Sequence, residues 1–86
     1  MTLDVEFSIE AITDLEKLDQ VIAQRILDKI KWLAENFNNI TPQVLTGDMK
    51  GFFKLRVGDY RVIYTISQLE NIITIHLIGH RREIYR

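Results

Sequence analysis

Lys54, Arg56 and Arg61 lie within eight residues of one another, on either side of a Gly58-Asp59 dipeptide. Cations at this density suit an anion, and guanidinium groups grip phosphate through two parallel hydrogen bonds. A two-residue Gly-Asp loop between alternating runs predicts a tight hairpin of type I′ or II′. Such a loop fixes the register. Val57 then faces Tyr60, Arg56 faces Arg61, Leu55 faces Val62, Lys54 faces Ile63 and Phe53 faces Tyr64. Side chains alternate between the two faces of a strand. Phe53, Leu55, Val57, Tyr60, Val62 and Tyr64 therefore share an apolar face that belongs against a core. Lys54, Arg56, Arg61 and Ile63 share the other. Like charges directly opposite on a sheet destabilise it. No carboxylate on that hairpin face offsets them, so a phosphate-binding surface is the chemistry this spacing suggests.

Other chemistries are poorly served. There are no cysteines, which excludes disulfides, thiolate metal sites and a cysteine nucleophile. His76 and His80 are four apart on an extended segment, roughly 13 Å by the strand rise, too far for one metal ion. Carboxylates are sparse in this half of the chain, so a magnesium site is not expected. Ser8 and Ser67 have no evident triad partners. No phosphate-cradling glycine loop, nucleophile elbow or zinc motif occurs. No cofactor and no metal are expected. Trp32 falls near a helical stripe and reads as packing. Tyr85 lies in a basic tail, His80-Arg81-Arg82 onward, where a core role is unexpected.

The elements that must hold these residues follow from periodicity. Leu3, Val5 and Phe7 alternate with Asp4 and Glu6, which reads as a first strand. Ser8 offers a helix N-cap. Ile9, Ile12, Leu15 and Leu18 then form one stripe. Asp19 is a second N-cap, and Ile22, Ile26, Ile30, Leu33 and Phe37 mark a longer amphipathic helix. Residues 38–46, with Pro42, read as a loop. Phe52–Val57 and Tyr60–Ile66 are the hairpin strands. Gln68–Asn71 makes a turn, and Ile72–Ile78 is a last strand that Gly79 interrupts. In that strand Ile73, Ile75 and Leu77 suit the core, and Thr74, His76 and Ile78 take the other face, which puts His76 beside the cations. The order β-α-α-β-β-β predicts an α+β fold, a helical hairpin packed on a small, largely antiparallel sheet. At 86 residues it is one domain, 1–86.

Charge is unevenly spread. Residues 1–43 carry four Lys/Arg and eight Asp/Glu, whereas residues 44–86 carry seven and four. That asymmetry suggests a local anion-binding surface on an acidic body, although charge counts alone fit a solvated face with incidental clustering better. No apolar run exceeds three residues, so no membrane span or signal-peptide core is expected, and the default location is the cytoplasm.

Taken together, Lys50-Gly51, the run Phe53 to Tyr64, Gly79-His80-Arg81 and Ile84-Tyr85 resemble the RelE branch of the RelE/ParE toxin superfamily. The resemblance spans nearly the whole chain. It implies a toxin of a type II toxin–antitoxin pair with a cognate antitoxin as partner. It also implies a metal-independent endoribonuclease that cuts mRNA in the ribosomal A site by attack of the ribose 2′-OH on the adjacent phosphate. By position, the resemblance makes Lys54 and Arg56 the basic strand pair that stabilises charge. Arg61 would bind the scissile phosphate, Arg81 would sit near the leaving group, and Tyr85 would orient the nucleotide. Two other readings stay open: a ParE-like inhibitor of DNA gyrase, and a phosphate- or RNA-binding module without catalysis.

Overall fold

The computed structural model describes residues 2–39, 43–44 and 51–84. The chain runs β1 (Asp4–Phe7), α1 (Ile9–Glu16), α2 (Gln20–Asn36), a 3-10 turn (Phe37–Asn39), β2 (Gln43–Val44), β3 (Phe53–Val57), β4 (Tyr60–Ser67), β5 (Ile72–His80) and α3 (Arg81–Ile84). The strands form one sheet in the order β1-β5-β4-β3-β2. Only β1 and β5 are parallel. The α+β architecture is the one expected, with one addition. Gln43 and Val44, inside the segment read as a loop, pair with Lys54 and Phe53 as a fifth, two-residue strand. Two residues carry no alternation that could mark a strand.

Both predicted N-caps form. The Ser8 hydroxyl accepts from the Ala11 amide at 3.1 Å, and the Asp19 carboxylate accepts from the Val21 amide at 3.2 Å. Each satisfies a backbone donor that the first helical turn leaves without an intrahelical partner. The second helix buries Ile26, Ile30 and Leu33 as its periodicity requires. The first follows only half of its apolar stripe: Leu15 and Leu18 pack against the core, and Ile9 and Ile12 do not. Ile9 is 80% exposed and Ile12 47%, and Ala11 is the buried residue. α1 is turned so that Ser8, Ala11 and Asp14 meet the sheet. Two of those positions are polar because each bonds backbone of β5: the Ser8 hydroxyl donates to the His76 carbonyl, and the Asp14 carboxylate accepts from the Ile78 amide. Trp32 is likewise no core residue. It is 40% exposed, with the Lys29 ammonium 3.9 Å from the ring centroid in a cation–π contact.

The helices cover one sheet face. The core there joins Ile26, Ile30 and Leu33 to Leu55, Val62, Tyr64, Ile73, Ile75 and Ile78. In β5 the core residues are Ile73, Ile75 and Ile78, and Leu77 is 37% exposed. This corrects the expected parity, and the cause is a bulge. Tyr64 pairs with Ile75 but Ile63 pairs with Leu77, leaving His76 as the extra residue. One inserted residue reverses the face of every side chain after it. Nor does Gly79 interrupt the strand, which runs on to His80 with Gly79 opposite Arg61.

Tyr64 is 1% exposed, and its ring stacks on Phe53 at 5.6 Å. Burial pushes its phenol up to about 12 from the ordinary 10.0. Below the unfolded value the hydroxyl is protonated in both states, and its full contribution to stability is present. As pH rises from about 10 to about 12 the unfolded chain sheds this proton and the folded chain keeps it, so stability falls. The loss is about 2–3 kcal/mol once pH passes the folded value. Urea unfolding at a series of alkaline pH values is expected to show this decline in the wild type. Tyr64→Phe should lack it, and equal pH slopes for the two proteins would contradict the assignment.

Candidate nucleic-acid interface

The hairpin has the predicted register throughout: Arg56 pairs with Arg61, Lys54 with Ile63, and Val57 with Tyr60. Gly58 carries a φ of +59°, and Asp59 is not among the residues with positive φ, the pattern of a type II′ turn. In a two-residue hairpin the pair flanking the loop is hydrogen-bonded. The next pair, Arg56 and Arg61, is then a non-hydrogen-bonded one, in which side chains approach most closely. The face away from the helices thus carries two arginines side by side, with Lys54 one step further along β3.

The three cations differ in environment. Arg56 is exposed and Lys54 is half-buried. Arg61 is only 7% exposed, the one buried charged residue among those described. Its Nη1 donates to the carbonyls of Gly58 and Tyr60, both at 2.9 Å. The guanidinium therefore curls back onto the turn, where two carbonyl dipoles hold its charge against that of Arg56. Its burial is not visible from strand alternation, because it depends on α3 and on turn carbonyls.

α3 completes the surface. A Cβ on Gly79 would stand 3.3 Å from Ile84 Cδ1 and 3.5 Å from Glu83 Oε2. Gly79 is opposite Arg61 in the sheet, so α3 lies against the outer face beside that arginine. A glycine there lets the helix approach the strand. Arg81 opens α3 with its amide donating to the Asp59 carbonyl at 2.8 Å, and its side chain is exposed. The Gly58-Asp59 turn therefore gathers Arg61 through a side chain and Arg81 through its backbone, with Arg56 across the ladder. Neither Arg56 nor Arg81 has a side-chain hydrogen-bond or ion-pair partner among the described residues. Tyr85, and Lys50 of the resemblance, lie outside the described residues.

At the far end of the same face are Thr65 and His76. The bulged histidine places Nε2 2.8 Å from the Thr65 hydroxyl, and Phe52 meets its ring edge-on at 5.1 Å. His76 thus lies on the cationic side of the sheet, as expected, and is engaged there. His80 is on the helix side, where its ring contacts Tyr60. Among the described residues no three His, Cys, Asp or Glu side chains gather as a metal site, and no helix is long and apolar enough to cross a membrane. The contact of Asp14 with the Ile78 amide is not legible in the sequence, since an Asp inside a helix carries no marker of a strand-edge contact.

A helical hairpin on one side of a mostly antiparallel sheet, with arginines gathered on the other side at a hairpin turn, defines a small α+β domain with a cationic surface. The family model for the ParE toxin of type II toxin–antitoxin systems matches residues 5–85, and the chain belongs to that family, within the RelE/ParE superfamily. It is similar to a RelE-like toxin protein of Escherichia coli, with 27% identity over 94% of this chain and 85% of that protein. The toxin–antitoxin complex RelBE2 of Mycobacterium tuberculosis aligns with a TM-score of 0.84 and 26% identity, over 94% of this chain and 100% of that one. The archaeal RelE–RelB complex of Pyrococcus horikoshii aligns with a TM-score of 0.73 and 26% identity, over 94% and 97%. The chain is therefore a RelE-like toxin of the type II class.

Proposed function

We propose that this toxin is an endoribonuclease that cuts mRNA on the ribosome and is held inactive by a cognate antitoxin. The observation that carries the reading is the Arg56–Arg61 cross-strand pair with Arg81 at the adjoining turn. In the proposed step the ribose 2′-oxygen forms a bond to the adjacent phosphorus. The bond from phosphorus to the 5′-oxygen breaks, leaving a 2′,3′-cyclic phosphate and a 5′-OH. The proton lost by the 2′-OH is balanced by the one the 5′-oxygen gains. Charge accumulates on the phosphoryl oxygens in the transition state, where preorganised guanidinium groups stabilise it most. RNA brings its own nucleophile. Arginine stays protonated, so Arg56, Arg61 and Arg81 hold charge and take no proton. Lys54 and Tyr85 join them by resemblance, Lys54 as a charge stabiliser and Tyr85 as the group orienting the nucleotide. Substrate positioning falls to the ribosome, which compensates for a site with no His–carboxylate pair among the described residues. The RelE–RelB assemblies among the structural relatives support an antitoxin as partner, and the action on mRNA places the pair in the cytoplasm.

Primer extension on an mRNA translated in a purified system tests this, with an arm lacking ribosomes. Cuts at A-site codons that require ribosomes are expected. Intact mRNA in all arms would overturn the reading. The ParE name of the matched family supports a second one, inhibition of DNA gyrase. A supercoiling assay on the same preparation decides it, since a gyrase inhibitor would block supercoiling and leave mRNA whole.

A further inference from the structure

β1 ends at Phe7, paired with Ile75, whereas β5 continues to His80. Along that last stretch β5 has β4 on one side and, among the described residues, no strand on the other. The Ser8 amide continues the ladder by one bond, to the Ile75 carbonyl at 2.9 Å. Beyond it, side chains of α1 take over. The Ser8 hydroxyl donates to the His76 carbonyl at 3.0 Å, and the Asp14 carboxylate accepts from the Ile78 amide at 2.9 Å. One contact is to the bulged residue His76 itself and the other lies two residues beyond it. α1 thus does for this edge what a neighbouring strand would do.

We propose that Asp14 is a positioning residue for the arginine surface, acting through the Ile78 amide; this rests on the cleavage activity proposed above. Beyond the bulge the strand's register is held by its β4 ladder and by the burial of Ile78, and the Asp14 contact adds a constraint from the side opposite β4. Holding the Ile78 amide pins the strand two residues beyond the extra one. The residue that follows, Gly79, then faces outward opposite Arg61 and receives α3. Two residues further on, the Arg81 amide reaches the Asp59 carbonyl. A chain released at Ile78 keeps the Arg61–Gly79 and Tyr60–His80 pairings but loses one of the constraints that bring α3 and Arg81 to the hairpin turn. The job requires an acceptor oxygen at that place, and it does not require a negative charge.

The test compares Asp14→Ala with Asp14→Asn in the full chain, using the ribosome assay and amide hydrogen exchange by NMR. Asp14→Ala is expected to lower kcat about tenfold, with KM within about twofold, at a temperature where thermal unfolding shows it folded. Exchange at Ile78 and Arg81 should quicken about tenfold. Asp14→Asn keeps a carbonyl oxygen and is expected to recover most of both. An unchanged kcat and unchanged Arg81 exchange in Asp14→Ala would overturn the proposal. So would an Asp14→Asn protein as impaired as Asp14→Ala, since the charge would then be the operative feature. If the wild type cuts no mRNA, the functional reading fails by itself, and Arg81 exchange alone decides the positioning role. If Asp14→Ala does not fold, Asp14→Ser takes its place with the same criteria.

Discussion

Arg61→Ala is expected to lose both mRNA cleavage and about 2–3 kcal/mol of stability, a fall in Tm of roughly 10–20 °C for a chain of this size. The stability loss follows from where the guanidinium is. It is buried, and its Nη1 holds the carbonyls of Gly58 and Tyr60 together. Hydrogen bonds from a charged donor are worth more than neutral ones, and removing the donor leaves part-buried acceptors unmet. Relief of repulsion from Arg56 offsets only part of this, since opposed like charges on a sheet cost less than 1 kcal/mol or so. Arg61→Lys keeps the charge and loses the planar fork, so it should recover part of the stability and less of the activity. Urea unfolding of the three proteins beside primer extension checks this. An Arg61→Ala protein as stable as the wild type would contradict the clamp. The expected stability loss is why this substitution alone is a poor test of catalysis.

How legible each feature was depends on how local its cause is. The Gly58-Asp59 hairpin was fully readable, because a two-residue loop fixes every pair behind it. So were Ser8 and Asp19, whose capping bonds reach two or three residues along the chain. The face of Leu77 and Ile78 was not. A single extra residue at His76 reverses the alternation, and Ile75-His76-Leu77-Ile78 carries no glycine or proline to announce it. The orientation of α1 was half legible, through Leu15 and Leu18, and half hidden for a related reason. Its facing positions include Ser8 and Asp14, chosen for bonds to a strand more than sixty residues away, so an apolar stripe could not find them. Placement of Lys54, Arg56 and Arg61 on one face was legible from the register. The burial of Arg61 was not, because α3 and the turn carbonyls act on it from outside the ladder.

Arg56 and Arg81 separate chemistry from stability more cleanly than Arg61 does. Both are exposed, and neither side chain has a hydrogen-bond or ion-pair partner among the described residues. Arg56→Ala removes a charge opposed by Arg61, so the fold should be unharmed or slightly firmer, within about 0.5 kcal/mol of the wild type. Arg81→Ala retains the backbone bond to the Asp59 carbonyl and should be equally stable. If these groups face the phosphoryl oxygens as charge builds, each substitution lowers kcat by about 10²-fold, the usual loss for one preorganised donor. The double substitution should lower it by less than the product of the two, since neighbouring groups on one phosphate are not additive. Single-turnover cleavage of mRNA on programmed ribosomes measures this directly. A loss confined to KM, with kcat intact, would mean that the arginines hold RNA without acting on the reacting phosphate. The non-catalytic binding module would then be the better description of this face.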